Sequence, residues 1–378
     1  MSPTLADVMP PPLPGSSMRI AFLQLRRRRF AFAGALFIAC LALVAVFADL
    51  LASDLPIACK FHGTTYLLPN LTRPPVLASY DCARIEDESD EGDWAIHPLV
   101  RFGPSQTSAR GRIEALHSPS LGEGHPFGTD DRGRDVFART VHGARTSLTV
   151  ALLAVLGFVS IGAAFGALAG FFGGMLDAIV ARLVEALSAF PTVVLVLVVQ
   201  ALLPRPTLLT MLLAIGLSRW PEITRLVRAE VLLVASQEYV TAARALGASP
   251  LRVLVRHVSP NVKAPIVVAM TFGIASVVLI EASLSFLRVG VPPSTSSWGE
   301  TLSEVRDHGE AWWLLVIPGL FVFSTVASLN LVAEALRDLL DPRLRIESLH
   351  PAMRPIGSTG QGAEAMPPSA TTASTGTR

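Results

Sequence analysis

The chain has 378 residues, of which 51% are hydrophobic and only 16% charged, against roughly 25% charged in a soluble domain; much of it must face lipid. A formal net charge of +1 supplies no global field to recruit nucleic acid. Lysine occurs only at Lys60 and Lys263, and neither belongs to a G-x-x-x-x-G-K-[ST] loop, so the chain lacks the phosphate cradle needed to hydrolyse ATP itself, and no cofactor is expected.

Residues 1–29 are a Pro-rich tail ending in "LRRRRF". The arginines directly precede the first apolar run, 30–53, and by the positive-inside rule place the N-terminus in the cytoplasm. That run exceeds the roughly 7–15 residues of a signal-peptide core and is long enough to span a bilayer. Cys40 within it reads as inert packing. The long segment 54–143 then falls outside the cell. It holds Cys59 and Cys82, which are either a disulfide, allowed in an oxidising compartment, or two free thiols. "NLT" at 70–72 matches a glycosylation sequon, and "EDESDEGD" at 86–93 reads as a solvated surface. "GHPFGTDDRGRDVF", 124–137, gathers His125, Asp130, Asp131 and Asp135, but its spacing is not that of a calcium loop. Thr129 or Asp130 capping the following helix is the simpler reading, and no metal is expected.

Five further spans follow with increasing amounts of polar detail. Run two, 147–172, and its continuation place Gly162, Gly166, Gly170 and Gly174 four residues apart, a ridge for close helix packing. Run three, 178–203, carries Arg182 and Glu185 at i,i+3, read chiefly as a local pair, with Glu185 also a candidate pore group. Run four, 207–220, is short. Run five, 264–287, holds Glu281 deep in the apolar stretch without a local partner, which makes it a candidate gate or interhelical hydrogen-bonding group. A sixth run, 312–336, opens on Trp312 and Trp313, expected at the outer interface, and closes on Glu334 and Arg337, a second i,i+3 pair. Six crossings return the C-terminus to the cytoplasm, in agreement with Arg337, Arg343 and Arg345. Residues 339–378 form a tail that lacks large apolar side chains from about 352 and is expected to be disordered. The fold class is all-α, a polytopic membrane protein of about six transmembrane helices with an enlarged outer loop.

No catalytic constellation is present: there is no H-E-x-x-H, G-x-S-x-G or C-x-x-C. The chemistry is carried instead by "EYVTAARALGASPLRVLVRHVSPN", 238–261, within a basic segment 225–262. Tyr239, Val240, Ala243 and Leu246 share a helical face, and Gly247 fits a helix end. Ser249-Pro250 fits a new helix start, Arg252 and Arg256 lie i,i+4, and Pro260 is expected to end the second helix. Two short helices on the inner surface suit docking into a partner's groove.

This loop resembles the EAA loop of permease subunits of bacterial ABC importers. Ala242, Ala243, Gly247 and Pro260 match its spacing, while Thr241 replaces the motif glutamate, His257 its isoleucine and Ser259 its leucine. Together with "HPFGTDDRGRDVF", "GARTSL", "EASLSFLRVGV", "SSWGE" and "LRDLLDPRLR", the chain over about 20–345 is similar to the C-type permease of dipeptide and oligopeptide importers. Arg288 stands where that family usually has glycine. The outer loop is longer than in a typical dipeptide permease and resembles that of the subgroup handling larger or microcin-like peptides. The resemblance implies a type I importer permease domain over 144–338 in the bacterial inner membrane. It also implies half of a heterodimeric pore, a second permease subunit, two ATPase subunits and an extracytoplasmic substrate-binding protein delivering peptide. The loop would be the ATPase-coupling element, with Arg244, Arg252 and Arg256 compensating for Thr241. A proton-coupled carrier using Glu185 or Glu281, and a membrane scaffold or sensor working through the outer loop, are the competing readings.

Overall fold

The computed structural model describes residues 28–107, 115–203 and 207–340. The two tails, with Arg343 and Arg345, lie outside the described residues. Helix α1 (Arg29–Val46) is followed by the short α2 (Ala48–Leu51). Next comes a small antiparallel sheet, β1 (Ala58–Phe61), β2 (Thr64–Leu67) and β3 (Trp94–Ile96), in the order β2-β1-β3. The β1–β2 turn is His62-Gly63, both with positive φ (47° and 76°), the geometry that two-residue hairpins require. Strand alternation sends Cys59 and Phe61 inward, onto Leu55, Leu77 and Ile85. Helices α3 (Pro69–Thr72) and α4 (Cys82–Asp87) complete this unit.

Both outer cysteines are buried free thiols, so the disulfide alternative is not realised. Cys59 packs in the small core, whereas the Cys82 thiol donates toward the Ser53 carbonyl at 3.9 Å. Burial first, and then Asp54, pushes the Cys82 thiol up to about 12, so it stays protonated. Asn70 of the sequon is also buried, its amide donating to the Asp49 carbonyl at 2.7 Å, which leaves no room for a glycan. Cys40 is exposed on the apolar flank of α1 rather than packed inside.

The bundle is built on α5 (Val136–Phe172), 37 residues and therefore about 56 Å long. It is followed by α6 (Gly174–Ser188), α7 (Thr192–Ala201) and α8 (Leu208–Ala235). Next come α9 (Glu238–Ala245), α10 (Pro250–Val253), a π turn at Leu254–Val258 and α11 (Ser259–Phe286). Last are α12 (Trp298–Ser303) and α13 (Trp312–Leu340). Among the described residues, four helical stretches are long and apolar enough to cross a membrane: α1, α5, 250–286 and α13. A fifth is reached if α6 and α7 count as one span, but they meet at 81°. The straight run expected over 178–203 is thus broken: Pro191 has ψ 130° and cannot continue the helix before it. Helix α8, which holds the expected fourth span, is a single 28-residue helix. Arg219, Glu222, Arg225, Arg228 and Glu230 interrupt its apolar character.

Helices α5 and α8 meet backbone to backbone. A Cβ on Gly162 would lie 2.7 Å from the Trp220 carbonyl oxygen, on Gly166 2.7 Å from that of Thr224, and on Gly170 2.9 Å from that of Arg228. The Thr224 hydroxyl donates across the same seam to the Gly162 carbonyl at 3.2 Å. Gly174 does not belong to this ridge. It starts α6, and with Gly173 it takes positive φ (59° and 64°) in open space, a helix break that glycine allows. Asp177 of α6 then receives both nitrogens of Arg228 at 2.5 and 2.7 Å, tying α6 to α8.

Two predictions follow from this geometry. Gly166→Val should lower thermal stability in detergent by about 1–3 kcal/mol or more, since rigid backbone, not a flexible side chain, blocks the new atoms. Gly157→Ala, in open space on the same helix, should be neutral or stabilising by up to about 1 kcal/mol. Arg288, with φ 62°, carries roughly 1–2 kcal/mol of left-handed strain, and an Arg288→Gly protein should melt no lower than the parent despite losing an exposed ion pair with Asp307.

Candidate functional site

Residues 238–261 form a two-faced element at the Phe172 end of α5. Val240, Val253, Leu254 and Val258 are buried in the main bundle core. Tyr239, Leu246, Leu251 and Val255 are exposed, Leu246 at 89%. The break between the helices is at Gly247, whose φ of 83° is the left-handed C-cap conformation. Ser249 makes no capping bond, and Pro250 opens α10. Asn261 staples the element, its amide donating to the Tyr239 hydroxyl at 3.1 Å and the His257 carbonyl at 2.7 Å.

The residues singled out by the loop pattern divide between these faces. Thr241 and Ala242 are exposed and Ala243 is half-buried. The Thr241 hydroxyl donates to the Gln237 carbonyl at 3.3 Å, so no carboxylate is presented there. Arg252 and Arg256 are exposed. Arg244 instead sits over the Phe171 ring, 4.9 Å from its centroid, joining α9 to the last turn of α5 by a cation–π contact. Pro260 does not end a helix: 250–286 is continuous, and Pro260 lies in the first turn of α11. Lacking an N–H, it cannot bond the Arg256 carbonyl, and the chain meets this by widening into the π turn just before it.

The other end of α5 holds a buried polar node. One oxygen of Asp130 accepts the amides of Arg132 and Arg134, at 2.9 and 2.8 Å, and the other accepts Arg134 Nε at 2.5 Å. Arg134 continues to Glu304 at 2.8 Å and to the Pro293 carbonyl at 3.2 Å. Arg139, one turn into α5, pairs with Glu300 and lies 3.4 Å from Asp130 and 3.6 Å from Glu304. Asp130, Arg134, Arg139, Glu300 and Glu304 are all buried; Asp131 at the edge is 32% exposed. Four carboxylates thus face three guanidinium groups, Arg134, Arg139 and, at the exposed edge on Asp131, Arg132. Burial, opposed by Arg139 and reinforced by Asp130, pushes the Glu304 carboxyl up to about 7.

The cap of α5 is Asp135, which accepts the Ala138 amide at 2.7 Å, rather than Thr129 or Asp130, because Asp130 is committed to the arginines. The second Asp135 oxygen bonds His125 Nδ1 at 2.7 Å. Oxygens of Asp130, Asp131 and Glu304 lie within 4.8 Å of one another, but arginine N–H groups already bond both Asp130 and Glu304, so the cluster is an ion-pair network. His62, Asp90 and Asp93 converge separately on the exposed surface of the sheet unit.

Glu281 has both an interhelical and a local hydrogen-bond partner. It is fully buried, and its carboxylate accepts the hydroxyls of Ser147 at 3.1 Å and Ser285 at 2.9 Å, with Ser297 also bonding it. Three elements therefore meet on one side chain. Glu185 pairs with Arg182 at 2.9 Å on an exposed surface. Among the described residues Glu334 and Arg337 form no ion pair; Asp338 pairs instead with Arg28. Trp312 is exposed as expected, but Trp313 is buried, its indole N–H donating to the Thr129 carbonyl at 3.0 Å. Trp298 is buried under Gly143 and donates to the Thr140 carbonyl at 3.0 Å. The sequence signal for this node was the pair of stretches 124–137 and 296–300, rich in glycine and charge, with nothing in their spacing to say that they touch.

Comparison with known proteins identifies the architecture. Residues 162–346 match the family described as binding-protein-dependent transport system inner membrane component. Residues 16–69 match the N-terminal TM domain of oligopeptide transport permease C. The chain is 37% identical over 249 residues to the dipeptide transport system permease protein of Haemophilus influenzae, covering 65% of this chain and 84% of that one. It is 32% identical over 331 residues to that of Alkalihalophilus pseudofirmus, covering 87% and 91%. With the oligopeptide transport system permease protein of Bacillus subtilis it shares 39% identity over 222 residues, 58% of this chain and 72% of the relative. With this similarity spanning nearly the whole of one relative, and with several apolar helices present, the chain belongs to the binding-protein-dependent transport system inner membrane component family, as a multi-pass inner-membrane permease.

Proposed function

We propose that the chain is one of two permease subunits forming the pore of an ATP-driven importer of di- and oligopeptides. The two-faced element 238–261 carries this reading. Its inner face is locked into the bundle by four buried aliphatic side chains, and its outer face offers Leu246, Leu251 and Val255 beside Arg252 and Arg256. An exposed apolar patch rimmed by charge is a docking surface, and a helical pair presents it to a groove. The partner is an ATPase, one of two, and this end is cytoplasmic, as are both termini. The 54–135 side faces outward, toward a binding protein that delivers substrate. The peptide class comes from the names of the relatives.

The chain contributes conformation, not bond chemistry. An ATPase that prefers different positions of α9 in its two nucleotide states shifts the bundle between states by that difference alone. Arg244 over Phe171 and Arg228 on Asp177 are the contacts through which a displaced loop acts on α5, α6 and α8.

A double substitution Leu246→Asp, Leu251→Asp tests the docking face. Membrane insertion should be unchanged, ATPase co-purification should fall at least about tenfold as two anchor side chains become charged, and peptide uptake should be lost with it. Retained ATPase and uptake would remove the docking reading and advance the scaffold alternative. Uptake measured in Glu281→Gln cells separates the permease from a proton carrier. The amide keeps hydrogen bonds to the serine hydroxyls but cannot carry a proton, so uptake should stay within about twofold. Loss of uptake at normal protein levels would favour the carrier.

A further inference from the structure

The node at the start of α5 joins two segments far apart in sequence. Residues 129–139 supply Asp130, Asp131, Arg134 and Arg139, and α12 with the turn after it supplies Glu300 and Glu304. The segment 292–306 has few other polar ties to α5. Arg134 reaches the Pro293 carbonyl, and Trp298 reaches Thr140. Val305 of the segment and Val136 of α5 also share an apolar cluster with Ala311, Trp313 and Leu314. The carboxylates outnumber the guanidinium groups, one oxygen of Glu304 is buried with no hydrogen-bond partner, and half-exposed Asp131 opens the cluster to water. A buried surplus of negative charge is relieved most cheaply by binding a proton.

We propose that these carboxylates and arginines form a proton-dependent clasp, which holds residues 292–306 against α5 while one proton is retained in the cluster and loosens as that proton is lost. The ionic groups of the cluster are Asp130, Asp131, Arg132 and Arg134 from the loop, Arg139 from α5, and Glu300 from α12, beside Glu304 itself. Among the described residues no ionisable group of α13 or of 287–297 pairs with it. The sign follows from linkage. Glu304 is an acid whose folded value lies above its ordinary one, near 7 rather than the usual carboxylate range. Its stabilising proton is therefore fully bound in mild acid and is lost as pH rises through about 7. Neither the premise nor its test depends on the cargo.

Hydrogen–deuterium exchange on the full chain in lipid nanodiscs, corrected for intrinsic exchange rates, reads the clasp directly. Amide protection across 296–306 should fall about tenfold between pH 6 and pH 8, the change expected when a single proton is lost near pH 7, while 208–235 should hold steady. Glu304→Gln, which cannot ionise, should abolish the pH dependence. Asp131→Asn removes a neighbouring negative charge from the edge of the cluster and should move the fall to lower pH. A flat profile in the unmodified chain, an unchanged fall in Glu304→Gln, or an equal fall in 208–235 would overturn the proposal. If Glu304→Gln does not accumulate, Asp131→Asn decides, and an unmoved midpoint rejects the clasp.

Discussion

Backbone contact between α5 and α8 is the constraint around which the other helices are arranged. In lipid there is no hydrophobic drive to press two helices together, so association rests on dispersion and on how closely main chains can approach. Gly162, Gly166 and Gly170 bring a Cβ-free face to within 2.7–2.9 Å of three carbonyl oxygens of α8 spaced four residues apart, measured from where a Cβ would stand. Side chains of any size would push the helices apart and break the contacts of Trp220, Ile223 and Val227 with α5. The same closeness lets α8 retain its charges. Arg228 reaches Asp177 across the break after α5, and Arg219 pairs with Glu222 on the helix itself.

The polar node and the Glu281 cage work on a different principle. Buried charges are poor sources of stability, because desolvation offsets most of the Coulombic gain. They are strong sources of specificity, because any other packing leaves one of them unpaired. Asp130, which accepts three hydrogen bonds from loop amides and Arg134 and lies 3.4 Å from Arg139, restricts the arrangement of residues 129–139. Glu281, held by hydroxyls from α5, α11 and the start of α12, likewise permits one relative placement of three elements. Gly299 packs on the Ala282 backbone beneath them, so the 292–306 segment is seated by shape as well as by charge.

Much of this was legible in the chain. Apolar length located α1, α5, α11 and α13, glycine spacing located the α5 seam, and Gly247 marked the break in the two-helix element 238–261 through its need for positive φ. Arg288 shows the reverse case. A position where the resembling family keeps glycine proves to have φ 62°, so the departure noted in the sequence was a statement about backbone conformation. What could not be read were long-range meetings. Glu281 looked solitary because Ser147 is 134 positions away, and its local partner Ser285, one turn on, was overlooked. Trp313 looked interfacial because its acceptor is 184 positions away. Local rules also erred where two fitted equally well: Pro260 is acceptable after one helix or in the first turn of the next, and only the π turn shows which occurred. Gly174 kept the four-residue spacing past the point where Gly173 had already broken the helix.

The two ends of the molecule are joined by one rigid element. Arg139 sits in the first turn of α5 and Phe171 in the last, about 48 Å apart along a continuous helix. The first is gripped by Glu300 and the second by Arg244. An α-helix packed along its length bends little, so a displacement imposed at one end is delivered to the other as tilt or translation rather than absorbed as local unwinding. The breaks lie elsewhere, at Gly173-Gly174, Pro191 and Gly247, and the π turn of 254–258 is a local widening within 250–286. Departures from regular helix are thus kept off α5 and α8, whose backbones pack together at three glycines.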